Sequence, residues 1–257
     1  MSQSPGFVKR WLARAIRARG YQLVNVRSLY EFDGLHTVHS ARFRDDPRFR
    51  SAWERGLQAG GGVDPGSEWR IHIGLWAATV ASRLPGDFVE CGVNAGFLSS
   101  AILSYLDWPT LGKKFYLVDT FAGPVLEQFS AEETAHLSYE AVKRSIAEGA
   151  YVTDLERVRR NYEEWSGIEI VQGAVPDVLS AVGARSIAFL HLDMNCAYPE
   201  TEALRFFWDR IGAGGIVLLD DYAYFGYEVQ GNAMDAMART LGAQILALPT
   251  GQGMIVK

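Results

Sequence analysis

The sequence predicts an α/β fold, a doubly wound and mostly parallel β-sheet with an antiparallel edge strand. Short apolar segments alternate with segments of helical periodicity, which is typical of parallel strands joined by helices. The last two strand-like segments follow each other directly and indicate a closing hairpin. With 257 residues, 48% of them hydrophobic, the chain is long enough to bury a sizeable core.

The composition narrows the class of protein and its surroundings. A formal net charge of −5 argues against a nucleic-acid partner, although a local basic patch stays open. Two cysteines imply no disulfide framework and fit the reducing cytoplasm, where we expect the protein to act. We find no apolar run long enough to cross a bilayer or to form a signal peptide, so we expect no membrane partner.

Residues 1–68 are expected to form an N-terminal arm and cap. Phe7 to Arg19 has the periodicity of an amphipathic helix with a basic outer face. Such a helix lies on a membrane or packs against the body or a second subunit. Packing is favoured because the helix is short and the protein is acidic, so we expect a homo-oligomer.

The segment from Tyr21 to Gly66 shows no regular pattern and is expected to be irregular. His36 and His39 are spaced so that both could bind a metal, but no third ligand is obvious nearby. Ordinary surface or core histidines are the favoured interpretation. The glycines at 60–62 indicate a mobile loop before the core.

Residues 69–257 form the second predicted domain. It begins with a helix from Trp69 to Leu84 that is apolar nearly all round, with Ser67 as its N-cap. Pro85 and Gly86 end this helix, which we expect to cover the sheet.

The domain is organised around the segment from Asp87 to Phe97, D-F-V-E-C-G-V-N-A-G-F, which predicts a buried strand, a tight turn and a helix start. Gly92 and Gly96 bracket the turn, where a backbone without side chains can approach a ligand. Asn94 replaces the middle glycine of the dinucleotide fingerprint, which normally lets a pyrophosphate approach. A nucleoside ligand without a pyrophosphate, such as S-adenosylmethionine, does not need that glycine. Glu90, at the end of the strand, can accept hydrogen bonds from such a ligand.

The second predicted strand, Lys114 to Asp119, also ends in an acid. Asp119, followed by Thr120, can bind the two hydroxyls of a ribose, or it can cap the next turn. A long charged insertion, about residues 122–165, follows this strand and is placed where lids over substrates tend to lie. It contains two helical patterns, Tyr139 to Glu148 and Asp154 to Trp165.

The remaining elements continue the alternation of strands and helices. They are the strand Ile168 to Gly173, the short helix Pro176 to Val182, the strand Ile187 to Asp193, the helix Thr201 to Ile211, the strand Gly214 to Asp221, the helix Asn232 to Leu241, and the hairpin of Gln244 to Leu248 with Gly253 to Val256. At the end of the strand Ile168 to Gly173, Gln172 can contact an adenine edge beside Gly173, or it can be an ordinary polar strand terminus.

Three aspartates end two of these strands, Asp193 one and the pair Asp220 and Asp221 the next. Ligands of open α/β sheets bind beyond the carboxyl ends of the strands. If the two strands are neighbours, three carboxylates converge there, and unpaired like charges at that distance would be costly. A cation resolves the repulsion, and this set of oxygen ligands favours Mg²⁺.

Four motifs together resemble the macrocin O-methyltransferase (TylF-type) family. They are E-C-G-V-N-A-G at Glu90 to Gly96, V-D-T-F-A-G-P at Val118 to Pro124, H-L-D-M-N at His191 to Asn195, and G-G-I-V-L-L-D-D-Y at Gly214 to Tyr222. The resemblance implies a seven-stranded Rossmann-like methyltransferase fold and an S-adenosylmethionine-dependent enzyme that methylates sugar hydroxyls of natural products. It matches Asp193, Asp220 and Asp221 to the family's Mg²⁺ ligands. It also matches Glu90, Gly92 and Asp119 to the cofactor-binding strand ends.

One departure concerns the general base, which in related metal-dependent methyltransferases often lies two or three residues beyond the first metal aspartate. Asn195 and Cys196 stand there, and a neutral amide cannot accept the proton, while a thiol is a poor base near pH 7. The candidates for the base are therefore Cys196, His136 in the lid, and Tyr222 or Tyr224; the metal alone is a further alternative. Catalysis can also be altered or lost.

The leading hypothesis is a Mg²⁺-dependent O-methyltransferase whose acceptor is a glycosylated or polyol small molecule. A cofactor-binding protein of the same fold without catalysis is the second hypothesis, and an NAD-dependent dehydrogenase is the third. Several aromatic residues can stack on a sugar or an aglycone, or can simply pack: Tyr198, Tyr222, Tyr224, Phe225 and Tyr227.

Overall fold

A computed structural model describes residues 5–21 and 30–257 of the chain, which divide into two compact units, residues 1–41 and 42–257. The domain boundary that we expected after residue 68 stays a prediction. Residues 42–68 belong to the larger unit because a helix within them, Pro47–Ala59, packs against the helix that follows the first strand of the large sheet.

The described residues of the smaller unit, 5–21 and 30–41, contain one helix and one hairpin. Helix α1 (Pro5–Arg17) overlaps the predicted amphipathic helix. Strands β1 (Tyr30–Phe32) and β2 (Leu35–Thr37) pair antiparallel. They are joined by Asp33 and Gly34, both with positive φ (51° and 71°), as a two-residue hairpin turn requires. Residues 22–29 of the segment expected to be irregular lie outside the described residues.

The larger unit alternates strands and helices as predicted. Its helices are α2 (Pro47–Ala59), α3 (Glu68–Ala81), α4 (Phe97–Tyr105), α5 (Trp108–Leu111), α6 (Leu137–Ala147), α7 (Leu155–Arg160), α8 (Ala197–Phe207) and α9 (Glu228–Thr240). Its strands are β3 (Asp87–Cys91), β4 (Phe115–Asp119), β5 (Ile168–Gln172), β6 (Ile187–Leu192), β7 (Ile211–Leu219), β8 (Leu246–Ala247) and β9 (Gly253–Val256).

The seven strands form one sheet in the order β5-β4-β3-β6-β7-β9-β8. The first five are parallel, while β9 runs antiparallel to β7 and pairs with β8 as the closing hairpin. This confirms the doubly wound sheet and its antiparallel edge. The chain leaves β3 towards β4 on one side and later returns to β6 on the other, so the switch point, where ligands bind, lies between β3 and β6.

Helices cover both faces of the sheet, which explains why its strands are almost continuously apolar. Alternate residues of β3 point to opposite faces: Phe88 joins the cluster under α3 and α4, whereas Val89 joins the cluster under α8 and α9. All six residues of β6 are buried. This central position is what brings the end of β6 into the middle of the site.

Several predicted elements were wrong in extent or type. The segment expected to be irregular contains α2, whose N-terminus is capped by the Asp46 carboxylate accepting the N–H of Arg48. The helix predicted at Pro176 to Val182 is only a 3-10 turn at Leu179–Ala181. Helix α8 starts at Ala197 rather than Thr201, because Pro199 is tolerated in a first helical turn.

The sequence of α2 does contain apolar residues at helical spacing. Phe49 and Ala52, three residues apart, are both buried, and Trp53 packs against the core beside them. The same helix also carries three arginines and a glutamate, which obscure the stripe: Arg48, Arg50, Arg55 and Glu54.

Across residues 5–21 and 30–257, no helix combines the length and the apolar character needed to cross a bilayer.

Candidate active site

A cleft opens at the carboxyl ends of the parallel strands, on both sides of the switch point. It contains about 730 Å³ of empty space connected to solvent, within the range of small-molecule sites (about 300–1,000 Å³). Five of the predicted cofactor residues line it, namely Gly92, Asn94, Asp119, Thr120 and Gly173. Asp193, Asn195 and Cys196 line its other end, and Tyr151 of the insertion lines it as well.

Gly92 is the point where two loops meet. Its φ is +89°, and a Cβ at this position would lie 1.8 Å from the backbone oxygen of Asp193. No side chain fits there without moving the backbone of the loop after β6. The glycine therefore keeps the turn after β3 in contact with the first metal-ligand candidate.

Gly96, a predicted cofactor-binding residue, lies against the insertion. A Cβ there, at φ +84°, would lie 1.9 Å from the hydroxyl oxygen of Tyr162. That hydroxyl is buried and makes a 2.7 Å hydrogen bond with the Ser99 hydroxyl. Gly96 thus makes room for a side chain of the insertion and is not among the residues lining the cleft.

Asp119 holds the turn after β3. Its Oδ2 accepts the backbone N–H groups of Val93 (2.6 Å) and Asn94 (2.8 Å), and its Oδ1 accepts that of Phe121 (2.7 Å). The acid thus lines the cleft and also fixes its wall. Gln172, opposite Asp119 in the sheet, is exposed and donates to the Thr120 carbonyl at 3.4 Å.

Glu90 lies beneath the cleft in a buried pair with His191. Its Oε1 is 3.0 Å from His191 Nδ1, and its Oε2 has no hydrogen-bond partner among the described residues. Burial by itself lowers the pKa of His191, but its interactions with Asp220 and Glu90 outweigh burial and raise the pKa to about 10. His191 therefore lies between Glu90 on β3 and Asp220 after β7, whose Oδ1 is 3.8 Å from His191 Nε2.

The three predicted metal ligands come together. Strands β6 and β7 are parallel neighbours with Leu192 opposite Leu219, so Asp193 and Asp220 leave the sheet side by side. One carboxylate oxygen from each of Asp193, Asp220 and Asp221 lies within 4.8 Å of the other two.

Arg70, on α3, partly balances these charges. Its Nη2 is 2.6 Å from Asp221 Oδ1 and 3.1 Å from Asp220 Oδ2, and it also donates to the Asp220 carbonyl. We did not predict this residue, although Arg70 is the one lysine or arginine of an otherwise mostly apolar helix. A lone cation in such a helix is a signal for a buried partner.

The cluster fits a hard divalent cation. Burial raises the pKa of Asp193, and the charges of Asp220 and Asp221 raise it further. Burial acts in the same direction on Asp220, but Arg70 and His191 outweigh it and hold that pKa at about 2. The carboxylate oxygens are crowded, and the negative charge of Asp193 is disfavoured. Bound Mg²⁺ would offset this repulsion, and it prefers oxygen ligands of this kind.

The candidate bases lie in different surroundings, and which of them acts stays a prediction. Burial raises the pKa of Cys196 to about 12. The Tyr222 hydroxyl donates to Asp235 Oδ1 at 2.7 Å, and burial raises its pKa to about 12 as well. His136 lies outside the cleft lining, with its Nδ1 3.7 Å from Glu228 Oε2.

Asn195 occupies the position next to the first metal-ligand candidate. Its backbone is left-handed (φ 57°), its Oδ1 accepts the Tyr227 hydroxyl at 2.8 Å, and its Nδ2 lies 3.4 Å from Asp193 Oδ1. The amide is therefore oriented by two neighbours and has no ionisable group to offer.

Glu200, on α8, holds the loop that carries Asp193. Its Oε1 accepts the Met194 N–H at 2.9 Å and its Oε2 accepts from Gln230 Nε2 at 2.9 Å. Burial raises its pKa to about 8. Sequence patterns did not single out this residue, because a glutamate in a first helical turn is common.

The titration of Glu200 predicts how stability depends on pH. Its folded-state pKa of about 8 lies above the ordinary 4.5, so between these values the folded protein keeps a proton that the unfolded chain has released. The free energy of unfolding therefore falls as pH rises, by roughly 1 kcal/mol between pH 6 and 7. Urea denaturation in EDTA should show this fall in the wild type relative to Glu200→Gln. A difference between the two proteins that stays constant with pH would contradict the prediction.

Comparisons with known proteins match the chain to a family. The sequence profile of the macrocin-O-methyltransferase (TylF) family matches residues 74–239, more than half of the chain. A relative from Streptomyces olivaceus, 8-demethyl-8-(2,3-dimethoxy-alpha-L-rhamnosyl)-tetracenomycin-C 4'-O-methyltransferase, is 26% identical over 152 residues. The match covers 56% of this chain and 56% of the relative, so the chain spans about half the length of that protein.

Two solved structures have the same fold. The O-methyltransferase NovP superposes with a TM-score of 0.62 at 18% identity, over 79% of this chain and 88% of NovP. The calicheamicin methyltransferase CalS11 superposes with a TM-score of 0.55 at 14% identity, over 92% of this chain and 98% of CalS11. The seven-stranded sheet described above is thus the fold of known methyltransferases.

Proposed function

This chain belongs to the macrocin-O-methyltransferase (TylF) family, and we propose that it is a Mg²⁺-dependent enzyme that transfers the methyl group of S-adenosylmethionine to a hydroxyl of a sugar or polyol in a small natural product. One observation carries the proposal: the three carboxylates of Asp193, Asp220 and Asp221 meet at the end of a cleft whose other end is lined by Asp119 and Gly173. A metal-held acceptor and a nucleoside donor would therefore lie side by side.

The cofactor end of the cleft consists of the turn after β3 and the loops after β4 and β5. Gly92 and Asn94 would approach the methionine part, and Asp119, Thr120 and Gly173 the adenosine part, as their order along the sheet supports. When bound, S-adenosylmethionine supplies an activated methyl group. The contribution of the chain is to hold donor and acceptor in line and to exclude water, and such positioning accounts for much of the rate of a displacement.

The metal end consists of the three aspartates with Arg70 behind them. Bound Mg²⁺ would lower the pKa of an acceptor hydroxyl, which suits a site where neither Asn195 nor Cys196 can act as base. Arg70 holds Asp220 and Asp221 in place, and His191 supports Asp220 from below.

The acceptor class follows from the relative and from the surface near the metal end. The Streptomyces olivaceus protein is named for methylation of a rhamnosyl compound. In this chain Phe225, after β7, is 79% exposed and Tyr198, on α8, is 47% exposed, so both can stack on a sugar or aglycone ring. Tyr222, Tyr224 and Tyr227 are occupied by Asp235, Arg70 and Asn195 respectively. We also propose that the protein acts in the cytoplasm and forms a homo-oligomer.

Calorimetric titration with S-adenosylmethionine, with and without MgCl₂, tests the proposal first. We expect binding of the donor in both conditions. We then expect methyl transfer only with Mg²⁺, to a rhamnosylated polyketide and not to the same compound without its sugar. Absence of donor binding would refute the proposal. Equal turnover in EDTA would refute the metal dependence.

A second candidate function, donor binding without catalysis, is favoured by Asn195, since its amide stands where an acidic base is expected and is oriented by Tyr227. Donor binding without turnover on any glycosylated or polyol acceptor would support this alternative. The dehydrogenase hypothesis receives no support, because the family match is to methyltransferases.

A further inference from the structure

Asn94 makes a contact that its place in the glycine turn does not require. Its backbone is left-handed (φ 49°), a conformation that asparagine tolerates. Its side chain reaches across to the insertion, where Oδ1 accepts the Val152 N–H at 2.8 Å and Nδ2 lies 3.5 Å from the Ala150 carbonyl oxygen. Glycine would serve the backbone alone, so the amide has a separate task.

That task concerns Tyr151, which lies between the two residues held by Asn94. Its side chain lines the cleft and packs over the loop after β4, since a Cβ at Gly123 would lie 3.6 Å from Tyr151 Cβ. Burial raises the pKa of Tyr151 to about 12, and the charges of Asp193, Asp221 and Asp119 add to the effect. The neutral hydroxyl of Tyr151 thus lies close enough to carboxylates at both ends of the cleft to feel their charges.

Other contacts of the insertion hold different parts of it. Glu133 is buried and its Oε1 accepts the Ala197 N–H at the start of α8, while Gln128 donates to the Val175 carbonyl. Both lie in the first part of the insertion. Asn94 is the side chain of the turn after β3 that holds the stretch carrying Tyr151.

We propose that Asn94 is a positioning residue, whose amide fastens the backbone of residues 150–152 to the glycine turn so that Tyr151 covers the bound methyl donor. This inference rests on the proposed function. It deepens the proposed function by assigning the side-chain amide of Asn94 to the closure of the cofactor cleft.

Three variants separate this role from a merely structural one. Asn94→Gly keeps the left-handed backbone and removes both side-chain contacts. Asn94→Asp keeps an acceptor for the Val152 N–H, and Tyr151→Ala removes the covering side chain and leaves the contacts of Asn94 in place. The rate of amide hydrogen exchange at Val152 without ligand measures how firmly residues 150–152 are held. Calorimetry with S-adenosylhomocysteine measures the affinity of the cleft for the ligand.

In Asn94→Gly we expect Val152 to exchange about tenfold faster and S-adenosylhomocysteine to bind about tenfold more weakly, the effect of losing one or two hydrogen bonds. Asn94→Asp should keep the exchange of Val152 within about threefold of the wild type. Tyr151→Ala should weaken ligand binding to a similar degree as Asn94→Gly. The double variant should bind no more weakly than Tyr151→Ala, because the two residues act as one unit.

Unchanged exchange at Val152 in Asn94→Gly would overturn the fastening, and unchanged ligand affinity despite faster exchange would overturn its role in the cleft. Additive losses in the double variant would show that Asn94 acts independently of Tyr151 and would also overturn the proposal. If the wild type does not bind S-adenosylhomocysteine, the proposed function fails, while the exchange of Val152 still decides whether Asn94 fastens the insertion.

Discussion

Asp193→Asn is expected to reduce methyl transfer by about a hundredfold to a thousandfold, because a metal ion contributes several kcal/mol to such a step and each 1.4 kcal/mol is a factor of ten. The substitution keeps the shape of the side chain and removes one of the three carboxylates around the proposed ion. The measurement is turnover at saturating donor and MgCl₂, together with Mn²⁺ binding followed by electron paramagnetic resonance.

The same variant should fold at least as stably as the wild type in EDTA. Burial and two neighbouring aspartates disfavour the charge of Asp193, so a neutral amide relieves that repulsion. Asp220→Ala is a poorer test, since it would also remove one of the partners of Arg70 and one of the partners of His191.

Asp235→Asn is the matched control for this experiment. Asp235 lies on α9 and accepts a hydrogen bond from the Tyr222 hydroxyl. The amide oxygen of an asparagine can accept the same hydrogen bond, so activity should be retained. Turnover of Asp193→Asn at the wild-type rate, or an unchanged affinity for Mn²⁺, would contradict the metal assignment.

Gly92→Ala is expected to lower the free energy of unfolding by roughly 3–5 kcal/mol, from the left-handed backbone and from the forced displacement of packed atoms together. The added Cβ would lie 1.8 Å from the Asp193 backbone oxygen, so the loop after β6 must move away from the turn after β3. Since both loops line the cleft, donor binding should be lost with the stability. Urea denaturation and calorimetry with S-adenosylhomocysteine measure the two effects.

Gly112→Ala separates the energetic cost of a left-handed backbone from the cost of the steric clash with Asp193. Gly112 also has positive φ (60°), but nothing lies within 4 Å of a Cβ placed there. We expect it to cost about 1 kcal/mol and to leave ligand affinity unchanged. Equal losses in the two variants would show that the close approach of Gly92 to Asp193 has no effect of its own.

Several features of the fold and of the site could be predicted because local sequence carries them. The glycine turn, the insertion and the acids at strand ends each lie within a short segment whose pattern is set by backbone geometry and burial. The prediction that Asp193 and Asp220 are neighbours needed only the rule that consecutive parallel strands usually lie side by side. The contacts of Gly96 and Asn94 could not be predicted in this way, since their partners, Tyr162 and Val152, belong to the insertion.

By itself, then, the sequence determined the alternation of strands and helices, the cleft at the strand ends and the three aspartates, because each depends on residues close together in the chain. The tertiary structure decided which side chains from distant parts of the chain meet at the cleft. Arg70 meets Asp221 across 151 residues, and His191 meets Glu90 across 101. Such partners are chosen by the packing of whole elements, which no local pattern records.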